Sequence, residues 1–272
     1  VLQYIGPFDF NALRCIFGAL VLMVMLPLTG RSLQPPPWKP VLWIGVLQTA
    51  GLSGLAQLAL VSGGAGKTAV LVYTMPFWAI LMTALLFKEK PRLSEYVAML
   101  IAALGLVLVL QPWQWRGTPY SSLIAIGAGA AWAGGTLVAK RAFRHQSTDI
   151  LSLLAWQTVV GAIALSALAL TTHEKEIVWS SYLLLAIAYN AVVVTAVAWA
   201  MWLFVLRVLP VSVAGLSSLI TPVMSVLWAW WLLGERPSLA EGGGITLIML
   251  ALASLGSFGA LQAALRRFFT LR

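Results

Sequence analysis

Nine stretches of this chain, each close to the roughly twenty residues that a helix needs to cross a bilayer, are almost free of charge. They cover residues 10–28, 41–61, 68–87, 93–110, 121–139, 150–170, 182–205, 211–233 and 239–260. Continuous apolar runs of that length exclude barrel strands, which are about ten residues long and alternate. With 61% apolar and 9% charged residues, the chain falls outside the soluble classes, which carry about a quarter charged residues. The sequence therefore predicts an all-α polytopic membrane protein. The formal net charge of +9 belongs to the breaks between runs, where basic residues set topology, and implies no nucleic-acid partner. Cys15, the single cysteine, excludes an internal disulfide.

One pattern occurs twice. Thr74-Met75-Pro76-Phe77 leads to Lys88-Glu89-Lys90-Pro91, and Thr221-Pro222-Val223 leads to Gly234-Glu235-Arg236-Pro237. Pro76/Pro222, Glu89/Glu235, Pro91/Pro237 and Glu95/Glu241 share one constant separation, the mark of an internal duplication. Five helices separate the copies, and an odd repeat length inverts the second. Alternate breaks collect Arg31, Lys39, Lys88, Lys90, Arg92, Lys140, Arg141, Arg144 and Arg207 on one side, together with the C-terminal Arg266, Arg267 and Arg272. That side is predicted cytoplasmic, with Val1 outside. The repeats are expected at 1–110 and 120–262, followed by a basic cytoplasmic tail at 263–272. Repeat one lacks a partner for the run at 121–139, so one further helix is expected before Val1. The expected fold is a ten-helix bundle of two inverted five-helix repeats, nine of those helices being in this sequence. Such bundles place a solute site near the midplane between repeats.

Helices that carry a Thr-Pro or Met-Pro step and run into a Glu-Arg/Lys-Pro turn resemble the drug/metabolite transporter superfamily and its EamA group. Leu219-Ile220-Thr221-Pro222-Val223 with Leu233-Gly234-Glu235-Arg236 is close to the family motif. Met75 and Phe87-Lys88-Glu89-Lys90 depart from it in the first copy. The resemblance implies a multi-pass inner-membrane exporter of amino acids or related metabolites, and within the group an exporter of the YddG type for aromatic amino acids. It also implies that Arg14 stands where family members often carry arginine.

Among residues that could meet a solute, Gln48 and Gln57 in the second run, Tyr73 in the third, Tyr189 and Asn190 in the seventh, and Ser217 and Ser218 in the eighth are polar at mid-span. Serine and threonine there often bond their own helix or a neighbour, whereas buried amides need partners. Trp78 flanks Pro76 and Trp132 lies among glycines that allow close helix approach; an aromatic wall suits planar solutes. Pro76 and Pro222, read as mid-helix kinks that free carbonyls, are candidate hinges. Arg14 reads as a snorkelling or helix-end contact, with carboxylate binding as the alternative. Every acidic residue falls near a span end, which argues against coupling through an embedded carboxylate. No cofactor or metal is expected: Gly64-Ala65-Gly66-Lys67-Thr68 lacks the leading glycine and preceding strand of a phosphate loop, and His145 and His173 have no partner at ligand spacing. The expected partners are a small-molecule substrate and the bilayer, with the protein a monomer. The rival classes are an intramembrane enzyme, a channel, or a carrier of nucleosides, sugars or organic cations. Two loop histidines without central acids argue against the enzyme.

Overall fold

Helix α1 (Pro7–Leu28) begins with Pro7 in the first helical position, where a missing N–H costs nothing, and with Asp9 in its first turn. It ends at Thr29, whose hydroxyl donates to the carbonyls of Met25 and Leu26. Gly30 then turns the chain with a φ of 70°, a conformation open to glycine. The structure, a computed structural model, describes residues 1–254 except 2, 64–67, 69–70, 88–92, 112, 114–118, 146–147, 173–175, 234–237 and 252. Lys67, Glu89, Glu235 and the tail at 263–272 lie outside the described residues.

The next span is continuous but not uniform: α2 (Trp38–Ile44) passes through a π-helical segment, π1 (Gly45–Gly51), into α3 (Leu52–Gly63). Then come α4 (Met75–Phe87), α5 (Leu93–Leu110), α6 (Pro119–His145) and α7 (Ile150–Thr172). The following span repeats the irregularity, with α8 (Ser181–Tyr189), π2 (Asn190–Ala198) and α9 (Trp199–Val208). The chain continues through α10 (Val211–Ser217) and α11 (Ile220–Leu233) to α12 (Leu239–Ala251). No strand occurs among the described residues, in agreement with the all-α reading. Among those residues 5 helices are long and apolar enough to cross a membrane, and Met75–Leu86, Leu93–Val109, Val211–Met224 and Leu239–Ala251 are shorter apolar helices.

The chain divides into two compact units, one made of Val1–Trp78 with Gly117–Val211 and the other of Ala79–Arg116 with Ser212–Arg272. Each unit draws on both sequence repeats. In the first, α1 and α7 pack together, and each π segment crosses the helix contributed by the other repeat: π1 lies on α7 and π2 on α1. Two matching small-residue contacts make those crossings possible. A Cβ on Gly18 of α1 would stand 2.5 Å from Thr195 Cγ2, and one on Gly161 of α7 would fall inside the radius of Thr49 Cγ2. Thr49 and Thr195 have the separation seen between Pro76 and Pro222, so the contacts are counterparts. Asp149 joins α1 to α7 at one end: its Oδ1 accepts the Ser152 N–H at 2.9 Å, capping α7, while its Oδ2 accepts Arg31 Nε at 2.9 Å. Lys140, near the end of α6, donates to the Leu206 and Leu209 carbonyls at 2.7 and 2.8 Å, closing the exposed end of α9.

In the second unit, Gly105 of α5 and Gly244 of α12 meet backbone to backbone; a Cβ on Gly105 would stand 2.8 Å from the Gly244 carbonyl. Of the Gly242-Gly243-Gly244 run, expected to allow tight packing, Gly244 does so, while a Cβ on Gly242 or Gly243 would meet nothing within 4 Å. Ser238 and Glu241 form a reciprocal capping box on α12, with Ser238 N–H to Glu241 Oε2 at 2.7 Å and Glu241 N–H to Ser238 Oγ at 3.2 Å. Glu95 accepts the Ser212 hydroxyl at 2.6 Å.

The prolines differ from expectation. Neither interrupts a running helix: Pro76 is the second residue of α4 and Pro222 the third of α11. Each follows a turn, at Tyr73–Thr74 and at Ser218–Leu219. In the first break Thr74 N–H bonds the Leu71 carbonyl at 3.2 Å and the Thr74 hydroxyl bonds the same carbonyl at 2.6 Å. In the second, Ser218 N–H reaches Gly215 O at 3.1 Å and Thr221 N–H reaches Ser218 O at 3.1 Å. Proline disfavours helix in the residue before it and is harmless in a first turn, so the chain breaks ahead of the ring and each helix restarts, at Met75 and at Ile220, with the proline in its first turn.

Candidate functional site

The first unit encloses an open cavity of about 510 Å³, within the range of small-ligand pockets. Its walls come from the opening turns of α1 (Phe10, Asn11, Arg14), from α3 (Ser53, Gln57), from the chain before the first break (Val72, Tyr73), from α6 (Trp132) and from the π2 span (Asn190, Trp199). Arg14 is the only charged residue among the described residues lining it. Its Nε donates to Asn11 Oδ1 at 2.5 Å and its Nη2 to Ser53 Oγ at 3.0 Å. The side chain therefore turns into the bundle, where neutral groups hold it, and does not snorkel. Trp132 is the hub of an aromatic cluster, with ring centroids 6.1 Å from Tyr73, 6.3 Å from Trp199 and 5.5 Å from Trp202. These separations suit edge-to-face packing. The Trp132 position is reached because Gly129, one turn earlier on α6, lets that helix come close to the break; a Cβ there would stand 2.8 Å from the Val72 carbonyl. That carbonyl is the one Pro76 cannot bond.

Of the residues singled out in the sequence, Gln57, Tyr73, Trp132 and Asn190 come together on this cavity. Gln57 donates to the Pro7 carbonyl at 3.4 Å, and the Asn190 amide to its own helix at Ala186 O, 2.9 Å. The others do not join them. Gln48 is fully buried in π1, its Cβ packed where α6 carries Gly135, and neither side-chain amide atom has a partner among the described residues. Tyr189 is 59% exposed on the outside of its span, because successive helical residues point about 100° apart and its neighbour Asn190 takes the cavity side. Trp78, past the break, is half-buried and not among the cavity residues. Ser217 and Ser218 belong to the second unit, where their hydroxyls donate to Ala214 O and Gly215 O at 2.8 and 2.7 Å. Asn11 and Trp199 were not selected from sequence: Asn11 looks like part of a span end, and Trp199 like any deep tryptophan. The spacing of Asn11 and Arg14, three apart on one helix face, was the available signal.

Behind Arg14 lies a second, small chamber of about 10 Å³, bordered by Thr49, Ser53, Gln157, Thr158 and Thr195 and also by the apolar Cys15, Leu154 and Trp199. Among the described residues no group of acids, histidines and cysteine is placed to hold a metal.

The model of the EamA-like transporter family matches residues 1–111 and 120–257. The chain belongs to the EamA-like transporter family. It is thus a multi-pass membrane transporter, and the family match covers both sequence repeats. The chain is 23% identical over 238 residues to the uncharacterized transporter YoaV of Bacillus subtilis (85% of this chain, 81% of that one). It is 24% identical over 260 residues to the uncharacterized inner membrane transporter YedA of Escherichia coli (93% and 83%). A riboflavin transporter of Vibrio cholerae matches at 31% over 93 residues, 30% of this chain and 31% of the other. The fold is shared with a crystal structure of a protein at a TM-score of 0.79 and 23% identity, over 92% of this chain and 88% of that one.

Proposed function

We propose that this EamA-like transporter is a secondary carrier of small organic solutes bearing a flat apolar group, with amino acids of the aromatic type as its leading class, and that it works by alternating access in the inner membrane. The cavity in the first unit carries this reading: about 510 Å³ with a tryptophan-tyrosine wall, one arginine, and the amides of Gln57 and Asn190. Its lining runs from mid-α6 towards the end at which α1 starts, the end that the Lys/Arg distribution assigns to the outside, with the C-terminus inside. No acidic side chain is among the described residues of its wall, which favours facilitated exchange over coupling through an embedded carboxylate. The chain breaks before Pro76 and Pro222 supply candidate hinges.

The test is counterflow of labelled phenylalanine and threonine in liposomes holding the protein, with and without an imposed pH gradient. Saturable phenylalanine flux without the gradient is expected, with threonine slower. Flux only with the gradient would overturn the exchange mechanism, and no flux of either would overturn the amino-acid assignment.

A further inference from the structure

We infer that the solute carried in the first-unit cavity bears a carboxylate, or an equivalent single oxyanion, that seats on Arg14. The inference rests on the proposed reading of that cavity and goes past it to the charge of the substrate. Arg14 is half-buried within α1, and an arginine inside a membrane protein is costly unless paired or used. Its hydrogen bonds are to two neutral oxygens, Asn11 Oδ1 and Ser53 Oγ, which orient the guanidinium without cancelling its charge. Of the five N–H donors of a guanidinium those bonds occupy two, and no carboxylate is among the described residues bordering either the cavity or the chamber behind it.

Two neighbours add to the surplus of donors. Asn11 is 1% exposed, and with its Oδ1 committed to Arg14 its Nδ2 has no acceptor among the described residues. Because an arginine can only donate, that bond fixes which end of the amide is which. The Trp132 Nε1 is likewise buried without an acceptor. Arg14, Asn11 and Trp132 all line the cavity, so its wall carries one positive charge beside ring faces, with the Asn11 and Trp132 donors buried next to it. A planar solute ending in a carboxylate satisfies both. The chamber behind Arg14 has a different character: Gln157 Oε1 and Thr195 Oγ1 are buried there without a partner. At about 10 Å³ that chamber is no larger than one water needs, so it takes no part of the solute, and a zwitterion and a simple monoanion share the carboxylate contact.

The full-length protein in detergent, titrated by tryptophan fluorescence and by thermal shift, separates the cases with four probes of one shape: phenylacetate, phenylalanine, phenylacetamide and phenethylamine. Phenylacetate is expected to bind saturably and at least about tenfold more tightly than the neutral amide or the amine. Phenylalanine binding as tightly as phenylacetate would point to zwitterions, and weaker binding to monoanions; either supports the carboxylate. Arg14→Gln should weaken phenylacetate by about tenfold or more and leave phenylacetamide unchanged, with Arg14→Lys recovering part of the loss. Should the glutamine variant not fold, the wild-type ranking alone decides. Phenylacetamide or phenethylamine binding as tightly as phenylacetate, no probe binding at all, or an unchanged phenylacetate affinity in a folded Arg14→Gln protein would overturn the inference. Binding is read without flux, so its failure beside working counterflow leaves the transporter reading intact.

Discussion

Gly18→Ala tests whether the crossing of π2 over α1 is as close as the structure has it. The added methyl would sit 2.5 Å from Thr195 Cγ2, 2.8 Å from Thr195 Cβ and 3.4 Å from the Ala191 carbonyl, whereas carbon atoms pack comfortably at about 3.5–4.0 Å. Thr195 is 3% exposed and β-branched, so it cannot swing aside, and the helices must part by most of an ångström. Overpacking of that order costs about 1–3 kcal/mol. Removing Cγ2 through Thr195→Ala should relieve part of it, so the double variant should be more stable than the sum of the singles predicts, by about 1 kcal/mol. Gly161→Ala with Thr49→Ala should behave alike, since that contact is the counterpart. The assay is unfolding of the purified variants in mixed detergent micelles, followed by tryptophan fluorescence. A neutral Gly18→Ala, or strictly additive effects in both pairs, would refute the packing argument.

Trp132→Ala should weaken an aromatic solute by about threefold to tenfold, the loss of an aromatic contact plus its buried face, and an aliphatic one by less than about twofold; equal losses in counterflow competition would reduce the residue to packing. Pro76→Ala restores an N–H opposite the Val72 carbonyl and favours helix through the break, so turnover should fall at least about threefold in liposomes without loss of insertion. Unchanged turnover in both Pro76→Ala and Pro222→Ala would remove the hinges. Gln48→Met replaces two unpartnered amide atoms by apolar ones of similar volume and should stabilise the protein by about 1–3 kcal/mol while leaving flux unchanged; lost flux in a stable variant would give Gln48 a part in handling the solute.

The duplication, the all-helical class and the positions of the apolar runs were legible because lipid imposes run length and leaves backbone groups no partners outside the segment. Of the nine candidate residues, Gln57, Tyr73, Trp132 and Asn190 line the first-unit cavity and the other five do not, a division that the sequence did not signal. Tyr189 and Asn190 are adjacent at mid-span, yet one faces outward and the other lines the cavity, and apolar runs without an amphipathic stripe give no clue to which face is which. Gln48 and Gln57 look equivalent in sequence but lie on opposite sides of the change from π1 to α3. The prolines were legible as special, but whether a proline kinks a helix or starts a new one depends on the turn before it, Tyr73–Thr74 or Ser218–Leu219, which has no marker of its own. Arg14 was visible as a lone charge near a span end; only the bonds to Asn11 and Ser53 show that it points inward.

The two π segments also bear on how relatives of this protein can differ in length. A π turn holds about one residue more than an α turn over the same rise, so a span that contains one carries slack that its flanking helices do not. Removing one residue within Gly45–Gly51 or Asn190–Ala198 should tighten that segment towards α while Trp43 and Gln57, or Tyr189 and Trp199, keep their faces. The same deletion in α1 or α7 would turn everything beyond it by about 100° and pull Gly18 or Gly161 off its threonine. Gaps within membrane spans of related chains should therefore gather opposite these two segments.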